Sequence, residues 1–237
     1  MSQKTTMIKL FQIYYCKEQK NKLVDCFTPY LNKDKSIYVE NQCIYDIRHN
    51  ELTEDMSHIG VFSHNFHDKL LSKPTLKTIS TCIKSNLDGD IFSPRLDTWW
   101  YDPIRCPRPL YFPNQCNIKN LAIPFLRDLA DASVMKHSSI DLWIKSYPNP
   151  IYCNFWVAKK VIFIDYVDNF LTGVFKVIES YNRDNPIFTI DHNYPSPPPQ
   201  IWKENTGFDG YPVITFIMER LINIYIQDRN LNHQAIL

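Results

Sequence analysis

Residues 210–226 carry an apolar pattern at helical spacing that is cut in the middle by an adjacent acid and base, Glu219 and Arg220. Tyr211, Ile214, Met218, Leu221, Ile222 and Tyr225 share one face of a wheel that advances by about 100° per residue, and Glu219, Arg220 and Asn223 fall on the other. An apolar stripe of that width has to dock on a core, so the rest of the chain must supply one. The polar side leaves two readings: a solvated surface pair, or an acid facing a cleft with a basic partner behind it.

Composition supports such a core. The 237 residues, 44% hydrophobic and 14% aromatic, can bury a large interior, as one large domain or two small ones. Five Gly against sixteen Pro, with 22% charged residues, argue against a flexible linker or a disordered chain. A net charge of +1 without a dense Lys/Arg block offers no field for nucleic acid. Cys16, Cys26, Cys43, Cys82, Cys106, Cys116 and Cys153 are odd in number, widely spaced and free of any Cys-x-x-Cys pair. They read as reduced, mostly buried thiols of a cytoplasmic protein, not as disulfides or structural zinc ligands. The apolar start at 7–15 is broken by Lys9 and Gln12 and lacks a small-residue cleavage site, so it reads as a first strand and not as a signal. No window reaches the roughly 20 apolar residues of a membrane span, which confines membrane association to a peripheral one, at the inner face.

Along the chain, strands and helices are interleaved. Residues 8–15 are dense in strand formers, and the polar run 17–22 leaves the sheet at a point where a ligand can sit. Residues 59–62 predict a second strand, and residues 76–85 a helix preceded by Pro74, a residue suited to a helix start. Within 118–135 a further helix is expected to start after Pro124 and to show Phe125, Leu126, Leu129 and Ala132 on one face. Residues 151–160 predict an extended element feeding an amphipathic helix to about residue 181, with Val161, Ile164, Tyr166 or Val167, Phe170 or Leu171, Val174, Phe175 and Ile178 inward and Gly173 marking close packing. Asn154 sits at the turn before it, where an amide either holds a ligand hydroxyl or satisfies local backbone groups. The fold class predicted is α/β, a core interrupted by long irregular loops.

One such loop, 97–113, holds Trp99-Trp100-Tyr101-Asp102-Pro103 and Arg105-Cys106-Pro107-Arg108-Pro109. Proline removes backbone donors and steers its neighbours away from helix, so this is an ordered, extended loop. Aromatic faces beside guanidinium groups suit sugar rings and phosphates, which makes Trp99, Trp100, Arg105 and Arg108 candidate substrate contacts; a surface loop packed down by its tryptophans fits as well. The proline-rich run at 191–199 reads as an internal spacer.

Four segments in chain order carry a resemblance: 8–15, Ile59-Gly60-Val61-Phe62-Ser63-His64, 152–163, and Met218-Glu219-Arg220-Leu221-Ile222-Asn223-Ile224-Tyr225. Together they resemble uncharacterised bacterial glycosyltransferase-like proteins associated with surface polysaccharide synthesis. The resemblance implies a single-domain nucleotide-sugar transferase fold of the GT-A-like type. It places Gly60 and His64, with Asn65 beside it, near the sugar site, Asn154 before a long helix, and Glu219 and Arg220 in the terminal helix. Where that family has paired histidine and basic residues after its glycine, this chain has Ser63-His64-Asn65-Phe66-His67.

Transferases of this kind often hold the diphosphate through a divalent ion on an Asp-x-Asp motif, and Asp88-Gly89-Asp90 is the paired-acid candidate of that form. Carboxylate oxygens suit Mn2+ or Mg2+, although 86–90 is also a good turn. The implied reaction moves a sugar from a nucleoside diphosphate sugar to a glycan or lipid-linked acceptor. His64 or Glu219 would orient or activate the acceptor and Asn154 would read sugar hydroxyls. Two alternatives stand beside it. A noncatalytic glycan-binding or assembly protein would use Trp99, Trp100, Tyr101 and Trp202 as stacking surfaces. Hydrolysis by carboxylates would need a tighter acid pair than the linear spacing displays.

Overall fold

The computed structural model describes residues 7–34, 36–64, 66, 75–94, 116–145, 151, 154–190 and 200–236, with backbone alone at 116–119 and 143–145. Among them a six-stranded sheet forms from β1 (Met7–Tyr14), β2 (Thr28–Leu31), β3 (Met56–Ser63), β4 (Ile91–Pro94), β5 (Trp156–Lys159) and β6 (His233–Ile236), in the spatial order β2-β1-β3-β5-β4-β6. The strands run parallel except β5, which is antiparallel to both of its neighbours. The C-terminal ends of β1 and β3 therefore share one edge of the sheet with the N-terminal end of β5. Pro29 lies in β2, an edge strand, where a missing N–H breaks no interior ladder.

Side chains alternate between two cores. Phe11, Ile13, Ile59, Val61, Ile91, Trp156 and Ala158 enter the larger one, and Leu10, Phe62, Phe92, Val157 and Ile236 the smaller. Parallel strands bury both faces, which explains why β1 and β3 read as near-continuous apolar runs. The smaller core is closed by α3 (Leu76–Ser85) through Ile79 and Ile83, and a reciprocal Thr75–Thr78 capping box starts that helix where the sequence predicts it. A short α1 (Lys17–Lys20) takes the chain off β1. The larger core is covered by α2 (Glu40–Asn50), α4 (Cys116–Asp131), α5 (His137–Lys145) and the helical run from Lys160 to Glu179. That run consists of α6 (Lys160–Asp165), a π-helical segment (Tyr166–Leu171) and α7 (Thr172–Glu179), and α8 (Gln200–Thr206), α9 (Val213–Met218) and α10 (Leu221–Asp228) complete the set.

Several elements depart from expectation. Helix α4 starts at Cys116 and runs through Pro124 instead of beginning after it. Burial of Ala122, Phe125, Leu126 and Leu129 offsets the backbone bond that Pro124 forgoes, while Ala132 lies past the helix end and is exposed. In α6 the exposed residue is Val161, and Phe163 takes the buried place. Gly173 is packed as predicted, since a Cβ there would come within 2.7 Å of Val134 Cγ2. Cys43 is buried, but Cys16 and Cys26 are exposed, so the expectation of mostly buried thiols does not hold for the described cysteines; all four, Cys82 included, are free.

The C-terminal pattern is two helices, not one. The chain turns tightly at Glu219–Arg220 between α9 and α10, and both helices are buried nearly all round. Asn223, expected on the polar side of the wheel, is 1% exposed. Its Oδ1 accepts from the Ile151 N–H at 2.7 Å and its Nδ2 donates to the Ile151 carbonyl at 2.8 Å, which pins the chain three residues before Asn154.

Candidate active site

Polar side chains gather where β1 and β3 end and β5 begins. Tyr15 follows β1, His64 follows β3, and their rings meet edge to face with centroids 5.7 Å apart. The buried Gln12 ties the two exits together, its Nε2 donating to the His64 carbonyl at 3.1 Å and its Oε1 accepting from the Val24 N–H at 2.9 Å. Here lies the reason for a lone amide inside an apolar strand: it satisfies backbone groups that the ladder no longer reaches.

Asn154 stands two residues before the start of β5 in the left-handed region, with φ 53°, a conformation that Asn tolerates better than most side chains. Its Nδ2 donates to Glu40 Oε2 at 3.1 Å, and both residues are buried. Its Oδ1 is buried and has no hydrogen-bond partner among the described residues. Glu40 opens α2 directly after Val39, whose φ of 52° is rare for a β-branched residue. The next residue, Asn41, reaches the C-terminal helices. Its Nδ2 donates to the Met218 carbonyl at 3.0 Å, and its Oδ1 accepts from the Tyr166 hydroxyl at 3.2 Å. Asn41 thereby takes up a carbonyl at the α9–α10 break and brings Glu219 and Arg220 to the same edge.

At the break, Arg220 Nη1 donates to Glu219 Oε2 at 2.8 Å, with Arg220 buried and Glu219 partly exposed. Burial, followed by the nearby Glu40, Cys43, Glu219 and Tyr211, pushes the Tyr15 hydroxyl well above the usual tyrosine range. Tyr15 is therefore a neutral O–H at physiological pH, set among acidic groups from three separate elements. The cluster offers a phenol donor, an imidazole, a carboxylate backed by a buried guanidinium, and an amide with a spare acceptor.

Of the residues expected from sequence, His64, Asn154, Glu219 and Arg220 meet here. Gly60 lies three residues before Ser63 on the central strand β3, and its missing side chain makes room for Leu10 and Val157, whose methyls would lie 2.5 and 2.9 Å from a Cβ. Asp88 and Asp90 are at the opposite edge. Asp90 precedes β4, its Oδ1 accepts from Lys159 Nζ at 3.0 Å and its Oδ2 from the Asn232 N–H at 3.1 Å. Lys159 pairs with His58, six residues before His64 along β3, a span of about 20 Å. Trp202 is buried, its Nε1 donating to the Gly210 carbonyl at 3.2 Å, and is no surface platform. Asn65, Trp99, Trp100, Tyr101, Arg105 and Arg108 lie outside the described residues. Sequence reasoning missed Tyr15, Glu40 and Asn41. Tyr15 ends a predicted strand at a predicted ligand exit, a usable signal, whereas nothing in the local pattern marks Glu40 or Asn41.

No family model matches this chain, and no curated protein matches it. Among solved structures, the apo structure of WbbM, a bifunctional glycosyltransferase, superposes on it with a TM-score of 0.59 at 14% identity. This chain shares the fold of part of WbbM. The superposition covers 96% of this chain and 44% of WbbM, so the chain spans less than half the length of that enzyme. The α/β class predicted from the sequence is the one observed. Among the described residues no three His, Cys, Asp or Glu side chains gather as metal ligands, and no helix is long and apolar enough to cross a membrane.

Proposed function

We propose that this chain transfers a glycosyl group from a nucleoside diphosphate sugar to a hydroxyl of a glycan or lipid-linked acceptor, at the sheet edge beyond β1 and β3. The observation that carries the reading is the convergence of Tyr15, His64, Asn154 and the Glu219–Arg220 pair at one edge of a glycosyltransferase-type sheet. In the transfer, the bond from the anomeric carbon to the diphosphate oxygen breaks with its electron pair leaving on the diphosphate. The acceptor oxygen bonds to that carbon, and its proton passes to His64 or Glu219. Arg220 holds the Glu219 carboxylate in place, Tyr15 donates a hydrogen bond, and Asn154 reads a sugar hydroxyl. Asp88 and Asp90 do not fit as ligands of a metal ion at this centre, because they stand at the far edge and Lys159 and Asn232 engage Asp90. No step is assigned to them.

The test is a transfer assay across nucleotide sugars with lipid-linked and oligosaccharide acceptors, in manganese, in magnesium and in chelator, following nucleoside diphosphate release and glycan mass together. Whichever of His64 and Glu219 takes the proton, its variant, H64A or E219Q, is expected to lower turnover by roughly 100-fold while donor binding persists, since a proton acceptor acts in the transition state. Absence of transfer by the wild type across the whole panel would overturn the proposal. Full activity in both variants would remove these two residues from it.

A further inference from the structure

The two ends of the Asn154 carboxamide are chemically opposite: the nitrogen only donates and the oxygen only accepts. Half a turn about its final side-chain bond would therefore change what a ligand meets. A carboxylate likewise only accepts, so a carboxylate at Glu40 can hold this amide by its nitrogen alone, as the 3.1 Å contact from Nδ2 to Oε2 records. Glu40 is well placed for that task. It sits on the first turn of the eleven-residue α2, against the positive end of the helix dipole. The unusual turn at Val39 delivers it there, braced by the Val39 N–H on the Ser36 carbonyl at 2.9 Å and by Asn32 Nδ2 on the Val39 carbonyl at 3.2 Å. From the other side, the paired hydrogen bonds of Asn223 to Ile151 anchor the chain leading into Asn154. The oxygen of the amide is buried and is an acceptor that nothing among the described residues engages.

We propose that Glu40 is a positioning residue that fixes the orientation of the Asn154 amide, so that the site presents Asn154 Oδ1 and selects a sugar able to donate a hydroxyl proton to it. The inference rests on the glycosyl-transfer reading and adds to it the chemical sign of one contact. Replacing the chosen hydroxyl by fluorine keeps its size and removes its proton, which makes fluorinated sugars the discriminating probes.

The experiment measures binding of UDP-glucose, UDP-galactose and GDP-mannose, and of their monofluoro-deoxy forms, by titration calorimetry. Wild-type protein is expected to bind one parent donor and to lose about tenfold on fluorination at a single position, the loss of one buried hydrogen bond. E40A is expected to bind the parent about tenfold less tightly and to lose the preference for hydroxyl over fluorine. The exchanged pair E40Q/N154D keeps one amide-to-carboxylate hydrogen bond and one further acceptor oxygen at position 154, and is expected to restore that preference. A role in folding alone would leave the hydroxyl-to-fluorine ratio where it was. Should E40A fail to fold, N154A compared with E40Q/N154D decides the same question. A folded variant without the Glu40 contact that keeps the full preference overturns this proposal and leaves the transfer reading standing. Failure of every parent donor to bind wild-type protein overturns both.

Discussion

The carboxylate of Asp90 is committed at both oxygens, to a lysine and to a backbone N–H, and those bonds tie the start of β4 to β5 and to the turn before β6. That commitment yields a prediction opposite to the one its Asp-Gly-Asp spacing invites. In D88A/D90A, nucleotide-sugar binding by calorimetry is expected to be unchanged, with or without manganese, while thermal stability falls modestly, the pair being partly exposed. Loss of binding with the fold intact would return these acids to the site. A second residue at the β4–β6 boundary governs pH response. His233 lies 2.8 Å through Nε2 from Ser93 Oγ, and burial pushes its pKa down to about 4. The unfolded chain therefore binds the proton first as pH falls. Stability is complete above about pH 6.5 and is lost toward pH 4, by roughly 3 kcal/mol at most. His58, lowered by burial and then by Lys159, acts in the same direction. Urea denaturation of H233Q is expected to show a flatter decline between pH 6.5 and 4 than the wild type; an equal slope would place the titration elsewhere.

At the scale of elements, the break between α9 and α10 decides what the C-terminus does. An uninterrupted helix would place Glu219, Arg220 and Asn223 on a common polar face, as a helical wheel requires. The break instead sends Asn223 inward to the Ile151 backbone and leaves Glu219 and Arg220 at the sheet edge. Asn223 thus holds the lead-in to Asn154, an element far from it in sequence. Truncating it to alanine would strand a buried N–H and a buried carbonyl. N223A is expected to lose about 2–4 kcal/mol in chemical denaturation, the cost of two unsatisfied polar groups. A loss below about 1 kcal/mol would mean that water satisfies both groups in its place.

For the whole molecule, the central strand β3 carries packing demands from both cores, and Gly60 is where they are tightest. G60A would push a methyl into Leu10 and Val157, and is expected to cost about 1–3 kcal/mol of stability, read from the denaturation midpoint, with substrate affinity unchanged. A selective loss of affinity would instead put Gly60 at the sugar. The α/β class, β1, β3, α3 and the close packing of Gly173 were legible in the sequence, because apolar periodicity, β-branched density and capping residues act over a few neighbours. Glu219 and Arg220 were legible as candidates because they interrupt an apolar pattern, Asn154 because it stands at a turn, and His64 through the family resemblance. Their meeting was not, nor were the entry of Tyr15, Glu40 and Asn41 and the removal of Asp88 and Asp90 to the far edge. Those outcomes depend on strand order, on the reversed direction of β5 and on the helix break. The hydrogen bonds that fix them join residues 114 to 177 positions apart in sequence, contacts that a local pattern does not encode.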